Sequence, residues 1–319
     1  MSSLPSPDLL ADRRALRRKL SLWRLLALGL AALAIVGLAL ALAGPRWRSP
    51  GAHVARLAVS GLITGDEASL KLVRDVARAD NVRAALIVID SPGGTTAGSE
   101  RLHDEIRRLA ARKPVVAVVG SLAASGGYIA AIGADQIVAE GNSLVGSIGV
   151  LFQYPDLTRL LDTVGVKMES IKSSPLKASP SPFEPTSEAA RAAVAATVAD
   201  SYAWFKDLVK ARRAMSDAEL AAVADGRVFT GRQALPLKLV DRLGGEREAR
   251  AWLESEKKVP ASLPLRDWKR ERGFSDFGLS TLAAAAVEAA GFERLGATLR
   301  RGDLEGAKLD GLLSLWQGL

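Results

Sequence analysis

Residues 115–129 read VVAVVGSLAASGGYI, and the middle of this stretch decides the fold class. The β-branched run at 115–119 is typical of a buried strand, and the small residues after Ser125 are typical of the start of a helix. Glycine and alanine around Ser125 leave room for another backbone to approach its hydroxyl closely. The stretch therefore predicts a strand that passes directly into a helix, with Ser125 at the junction as a candidate nucleophile.

The alternation of strand and helix continues on both sides of this stretch. Strands are predicted at 54–63, 84–90, 135–140, 147–152 and 166–172, and helices at 66–79, 98–113, 125–134 and about 187–215. The strand at 84–90 is expected to end at a turn formed by SPGG, residues 91–94. Repeated alternation of this kind indicates an α/β fold with largely parallel strands and right-handed crossovers.

The chain begins with features of a membrane protein. The uncharged run LLALGLAALAIVGLALALA at 25–43 nearly crosses a hydrocarbon layer of about 30 Å, at about 1.5 Å per helical residue. Six basic and two acidic side chains precede it, so the positive-inside rule keeps the N-terminus in the cytoplasm. A cleaved signal peptide, processed within ALALAG, is the alternative.

Composition excludes several classes of site. The 319 residues contain no cysteine, which rules out disulfides, thiolate catalysis and zinc sites built on cysteine. Half of the net charge of +8 belongs to residues 1–24, and no aromatic-plus-basic patch indicates nucleic acid as a partner. The predicted organisation is a basic cytoplasmic tail at 1–24, a transmembrane anchor at 25–43, an α/β domain at 54–260 and an amphipathic C-terminal appendage at 261–319.

Two glycine pairs, SPGG at 91–94 and SGG at 125–127, each follow a predicted buried strand. The carboxyl ends of parallel strands meet at one edge of a sheet, where α/β proteins place their sites. Backbone N–H groups near glycine can stabilise the oxyanion of an acyl-transfer intermediate, although both pairs also suit ordinary strand-to-helix turns. The pattern favours acyl transfer on Ser125.

The base that would activate Ser125 is less clear from the residues. The chain has only two histidines, His53 and His103, and nothing in their spacing brings either to Ser125, so both are interpreted as structural. A lysine amine whose pKa is lowered by burial can replace histidine in a serine hydrolase. Lys172 and Lys177 are candidates because Lys172 directly precedes, and Lys177 lies within, the proline-rich loop SSPLKASPSPFEPTS at 173–187, which could cover them.

These motifs together resemble the signal peptide peptidase A family of membrane-anchored serine proteases, in its short single-repeat form. The resemblance covers roughly 54–250 and rests on IDSPGG, AASGGYIA, GSIGV, the loop IKSSPLKASPSPFEPTSEA, DGRVFTG and LVDRLGG, in that order. It implies a ClpP/crotonase-like fold, a repeated β-β-α superhelix preceded by one transmembrane helix. It also implies Ser125 as nucleophile, Lys177 as general base, Ser147 as the residue that orients the lysine amine, and Gly94 and Gly126 as oxyanion-hole positions.

The resemblance further implies no cofactor and no metal, and a homo-oligomeric ring in which neighbouring subunits share each site. Expected substrates are released signal peptides or other membrane-proximal peptides rich in Leu and Ala, on the periplasmic side of a bacterial inner membrane. The sequence departs from the family pattern at two places. Ile129 stands where many members have a second tyrosine after Tyr128. The loop that carries Lys177 is also richer in proline than in better-known relatives, so Lys172 is kept as the alternative base. A crotonase-type acyl-CoA enzyme and a non-catalytic membrane scaffold are the alternatives.

Overall fold

The structure is a computed structural model that describes residues 20, 23–33, 35, 51–269 and 313–315. The chain divides into two units, 1–51 and 52–319. In the first unit, residues 23–33 and 35 are helical. No helix within the described part of the chain is both long and apolar enough to cross a membrane, and the predicted anchor at 25–43 lies partly outside that part.

The second unit is built on a nine-stranded mixed sheet. Its strands are β1 (His53–Ile63), β2 (Val82–Thr95), β3 (Val115–Ala124), β4 (Gln136–Ala139), β5 (Leu144–Gly146), β6 (Val228–Thr230), β7 (Arg242–Leu243), β8 (Leu265–Asp267) and β9 (Leu313–Leu315). The main order is β6-β5-β3-β2-β1-β8, while β4 pairs with β3 and β7, and β9 pairs with β2. Only the pairs β5–β6 and β2–β9 are antiparallel among these strands, so the predicted α/β class with a largely parallel sheet is confirmed.

The helices of this unit lie between the strands in the chain. They are α1 (Glu67–Arg78), α2 (Thr96–Ala110), α3 (Gly126–Ala131), α4 (Thr158–Val164), α5 (Glu188–Arg213), α6 (Asp217–Val223), α7 (Gly231–Ala234) and α8 (Glu246–Ser255). Several begin where a side-chain oxygen accepts a backbone N–H at the N-cap, as Asp66 does for α1 and Thr95 does for α2. The predicted helices at 66–79, 98–113 and 187–215 correspond to α1, α2 and α5.

Both faces of the central strands are buried. Alternate residues such as Leu86 and Val116 pack against Trp252 and Leu253 of α8 on one face. Their sequence neighbours, such as Ile87 and Ala117, pack on the other face in a larger cluster with apolar residues of α1 and α2. Burial on both faces explains why β2 and β3 are continuous apolar runs without an alternating polar pattern.

Three details of the predicted secondary structure were wrong. SPGG is not a turn, because β2 continues through it to Thr95 and pairs with Leu62 and Ile63 of β1. The strand predicted at 147–152 lies earlier, at Leu144–Gly146. Residues 166–172 form no strand. They are largely exposed, and none of the nine described strands pairs with them.

Candidate active site

Ser125 lies at the junction of β3 and α3, and its backbone is strained. Its φ of 53° and ψ of −115° are rare for a residue with a side chain. The residue is 1% exposed. Backbone strain of this kind persists only where the surrounding structure imposes it, and it is concentrated at functional sites.

Backbone contacts hold Ser125 in this conformation. Its N–H donates to the Gly146 carbonyl at 2.8 Å, and its own carbonyl accepts from the N–H groups of Tyr128 and Ile129 at 2.9 and 3.0 Å. The Ser125 hydroxyl lies 3.5 Å from the Gly149 carbonyl, at the long limit of a hydrogen bond. The conformation of the serine is therefore fixed by hydrogen bonds of its main chain.

Ser147, the predicted orienting residue, lies next to the nucleophile candidate. Ala124 pairs with Gly146 across the parallel strands β3 and β5, so the residues that follow, Ser125 and Ser147, emerge side by side. Ser147 is buried and also has a φ of 53°, and its N–H donates to the Arg227 carbonyl at 2.8 Å. The structure thus brings the two predicted serines together.

The two glycine segments lie at one edge of the sheet, as predicted. Ser91, the first residue of SPGG, pairs with Ala123 on the neighbouring strand β3, two residues before SGG begins at Ser125. A Cβ on Gly127 would lie 2.6 Å from the Ser91 carbonyl oxygen, and a Cβ on Gly94 would lie 2.0 Å from that of Ile63. Gly126 is the buried first residue of α3. Only glycine permits these close backbone approaches.

Strand β9 also reaches this edge. It runs antiparallel to the end of β2, with Leu315 opposite Gly93, Ser314 opposite Gly94 and Leu313 opposite Thr95. Gly94 therefore has a strand on each side, β1 and β9. Gly94, a predicted oxyanion position at the carboxyl end of β2, thus lies between two paired strands.

Lys177, the predicted base, lies in a long excursion between β5 and α5. The excursion, residues 152–186, is called the arm below, and none of its residues is buried. The Lys177 residue is exposed, and its backbone N–H donates to the Ser174 carbonyl at 3.1 Å. Within one chain the burial that a neutral lysine requires is therefore not present.

Lys172, the fallback base, is committed to an ion pair. Its amine contacts the Glu184 carboxylate and lies 3.3 Å from the Ser179 hydroxyl. The hydrogen bond from Lys172 holds the pKa of Glu184 below its ordinary value. The Lys172 amine therefore already has a carboxylate partner within the arm.

Each histidine has a partner other than Ser125. The Trp268 Nε1–H donates to His53 Nε2 at 3.0 Å, and the two rings stack. His103 Nδ1 lies 3.2 Å from Asp104 Oδ1, and burial lowers the pKa of His103. Within the described part of the chain no cluster of His, Asp and Glu is suited to hold a metal ion.

The contacts that sequence reasoning missed are backbone carbonyls. The carbonyls of Gly146 and Arg227 accept hydrogen bonds from the backbone N–H groups of Ser125 and Ser147, and the Gly149 carbonyl lies near the Ser125 hydroxyl. No side-chain pattern in the sequence marks these three residues. A usable signal was present, because these residues belong to the motifs GSIGV and DGRVFTG. A buried serine in a strained junction, with glycine backbone around it at the carboxyl ends of parallel strands, is typical of hydrolases that use a serine nucleophile.

Comparisons with known proteins narrow this class. A family model described as "Peptidase family S49" matches residues 107–260. The chain is 39% identical over 201 residues to "Putative protease slr0021" of Synechocystis sp., covering 62% of this chain and 72% of that protein. The chain belongs to peptidase family S49 and is, by family, a protease of the serine type.

Two further similarities were found. "Serine protease SPPA, chloroplastic" of Arabidopsis thaliana is 36% identical over 198 residues, which cover 61% of this chain and 29% of that protein. This chain thus spans under a third of that relative. Among solved structures, a mutant of the "1510-N membrane-bound stomatin-specific protease" is 15% identical, with a TM-score of 0.46 over 70% of this chain and 100% of that one.

Proposed function

We propose that the protein is a membrane-tethered serine endopeptidase that uses Ser125 as nucleophile and Lys177 as general base. The observation that carries this proposal is the strained, buried Ser125, with Ser147 beside it and glycine backbone on the neighbouring strand. Acyl transfer needs a nucleophile, a base and oxyanion donors in one place. This edge of the sheet holds candidates for the first and third within one chain.

The base is supplied by a second copy of the chain in this proposal. A lysine amine accepts a proton only when neutral, and burial favours the neutral form. The arm that carries Lys177 exposes large apolar side chains, namely Leu160, Val164, Val166, Met168, Ile171, Leu176 and Phe183. Exposed apolar surface of this kind is typical of a protein interface. The arm packs on a neighbouring subunit and places Lys177 beside that subunit's Ser125, in a ring of the ClpP/crotonase type.

The reaction follows from these roles. Ser125 Oγ attacks the peptide carbonyl as its proton passes to the Lys177 amine, which Ser147 orients. The backbone N–H groups of Gly94 and Gly126 stabilise the oxyanion, a contribution of about 3 kcal/mol for one such donor. The lysine then donates its proton to the leaving amine, and water hydrolyses the acyl-enzyme. No step requires a cofactor.

The substrates follow from the location. The apolar run at 25–43 would keep the catalytic unit at the outer face of a bacterial inner membrane, where released signal peptides accumulate. Such peptides are rich in Leu and Ala. The resemblance to signal peptide peptidases supports this substrate class.

Labelling of the full-length protein with a fluorophosphonate tests the proposal. We expect a mass increase on the peptide that contains Ser125, no labelling of Ser125→Ala, and normal labelling of Ser121→Ala, an exposed serine on the same strand. Wild-type protein that is not labelled, or Ser125→Ala labelled as well as wild type, would contradict the proposal. The two alternative functions predict different results. A crotonase-type acyl-CoA enzyme would bind CoA but would not be labelled by the fluorophosphonate. A non-catalytic scaffold would neither bind CoA nor be labelled.

A further inference from the structure

A cleft of about 500 Å³ lies at the amino ends of the parallel strands, opposite the candidate active site. Ala52, Arg83 and Pro114 line it, and these residues stand at the starts of β1, β2 and β3. The ten residues of β3 rise about 3.3 Å each, so roughly 30 Å separate the cleft from Ser125. Its volume lies within the range of about 300–1,000 Å³ that is usual for small-molecule sites. The cleft is therefore a candidate second site.

Three cationic side chains line the cleft: Arg83, Lys257 and Lys258. All three residues are exposed. Lys257 Nζ lies 5.2 Å from the centre of the Trp252 ring, and Lys258 Nζ donates to the Ser255 carbonyl at 2.8 Å. Among the residues that the structure describes, none of the three cations forms an ion pair with a carboxylate. Each therefore keeps donors for an anion in the cleft.

Further positive charge stands beside the cleft. Lys113 directly precedes the lining residue Pro114. Burial lowers the pKa of Lys113; Asp80 opposes this effect, and the positive charges of Arg112 and Arg83 add to it. The three cations of this group thus lie close enough to affect one another, with a single carboxylate among them. An anion in the cleft would meet a positive field from both of its walls.

The remaining wall of the cleft is apolar and is held in place. Val259, Pro260 and Leu263 form it, next to the lysines at 257 and 258. Arg250 of α8 donates to the carbonyls of Ala261 and Leu263, each at 3.0 Å, and so fixes this segment. Cations beside an apolar wall suit a ligand whose anionic group is joined to hydrocarbon. An anionic phospholipid has this composition.

The position of the cleft in the chain favours a lipid over a soluble anion. The apolar run of the predicted anchor ends at Ala43, so Ala52 lies nine residues beyond it. Clusters of Lys and Arg close to a membrane segment bind anionic lipid headgroups. The choice of a lipid rests on the membrane tether of the proposed function, whereas a site for a phosphate group does not.

We propose that this cleft binds the headgroup of an anionic phospholipid. The lipid phosphate accepts hydrogen bonds from the Lys257 and Lys258 ammonium groups and two parallel bonds from the Arg83 guanidinium. The first acyl carbons lie against the apolar wall. Bound lipid holds the amino ends of the strands at the membrane surface and turns Ser125 away from it, toward peptides that have already left the membrane.

Photolabelling of the full-length protein in micelles of an uncharged detergent tests the proposal. The probe is phosphatidylglycerol with a photoactivatable group on its headgroup. We expect labelled peptides that contain residues 257–263, and labelling that unlabelled phosphatidylglycerol suppresses and phosphatidylcholine does not. In Lys257→Gln and in Arg83→Gln, labelling at limiting lipid should fall about fivefold, the effect of one charge next to an anionic lipid. Lys206→Gln, which removes an ammonium over the Tyr202 ring on α5, is the matched control and should be labelled like wild type.

Three results would overturn the proposal: no label at 257–263, equal labelling of all four proteins, or equal suppression by phosphatidylcholine. Suppression by glycerol 1-phosphate as strong as that by phosphatidylglycerol would make a soluble phosphate ester the ligand and would overturn the lipid. Unfolding midpoints within about 2 °C of wild type establish that the variants are folded. Labelling needs no peptide hydrolysis, so a protein that is labelled at 257–263 but does not react with fluorophosphonate would contradict the proposed function and support the lipid site.

Discussion

At the scale of single residues, the site is strained at two serines. Ser125 and Ser147 both have a φ of 53°, a conformation that costs about 1–3 kcal/mol for a residue other than glycine. The surrounding hydrogen bonds to the Gly146 and Arg227 carbonyls offset this cost. The proposed nucleophile is therefore held in position before a substrate arrives.

Three substitutions distinguish between the two lysines that are candidates for the general base. We expect Lys177→Ala and Lys177→Arg to remove peptide hydrolysis, because a guanidinium stays charged and cannot accept the serine proton. Lys172→Ala should retain most activity, since that amine is engaged with Glu184. Turnover of a Leu-rich peptide measures each variant. Full activity of Lys177→Ala combined with loss in Lys172→Ala would reverse the assignment.

Gly94 is expected to matter for folding as well as for catalysis. In Gly94→Ala, the new Cβ would lie 2.0 Å from the Ile63 carbonyl oxygen, so the strands must separate. We expect a loss of about 3 kcal/mol in the free energy of unfolding, at the upper end for an overpacked core. Urea denaturation measures the loss. Gly120→Ala is the control, because its Cβ would meet Asp90 only at an ordinary 3.5 Å, and equal stability of the two variants would contradict the reading of Gly94.

At the scale of elements, periodicity predicted those parts of the fold that depend on local pattern. β1, the apolar part of β2, β3, and helices α1, α2 and α5 were all predicted, and parallel strands correctly placed both glycine segments at one edge. SPGG was misread as a turn because its partner, Ile63, is distant in sequence. Residues 166–172 alternate like a strand, but no neighbour pairs with them. Local pattern cannot show a partner that lies far along the chain.

Helix α8 should make stability sensitive to acid at its first turn. The Gly245 N–H, with help from Arg247, lowers the pKa of Glu248 to about 2 from an ordinary 4.5. The unfolded chain therefore binds the proton more readily, so the stabilisation is present above pH 4.5 and is lost as the pH falls toward 2. We expect the unfolding midpoint to fall less steeply across this range in Glu248→Gln than in wild type. Glu254→Gln, on the same helix and exposed, should follow wild type, and identical slopes for all three would contradict this expectation.

At the scale of the whole molecule, none of the residues of the arm, 152–186, is buried in its own chain, although helix α4 and several large apolar side chains lie there. A second copy is the proposed partner, and in that proposal the active form is an oligomer.

Mixed assemblies test this sharing of sites. Ser125→Ala and Lys177→Ala are each expected to be inactive alone. After joint dissociation and reassembly, some interfaces would pair an intact serine with an intact lysine, and partial hydrolysis should return. Mixing Ser125→Ala with a Ser125→Ala, Lys177→Ala double variant is the matched control and should stay inactive. Assembled mixtures with no recovered activity would place both residues of each site in one subunit.

A peptide that paired with the end of β2 would have to displace strand β9. That strand is joined to the same chain and already pairs with Gly93, Gly94 and Thr95, so it acts as an intramolecular competitor. A free peptide that pairs with this stretch binds only to molecules in which β9 has opened, and its apparent Kd is the intrinsic Kd divided by the open fraction. A chain that ends at residue 312 should bind such a peptide more tightly by that factor, as titration would measure. Equal affinity for the two chains would mean that the peptide binds elsewhere.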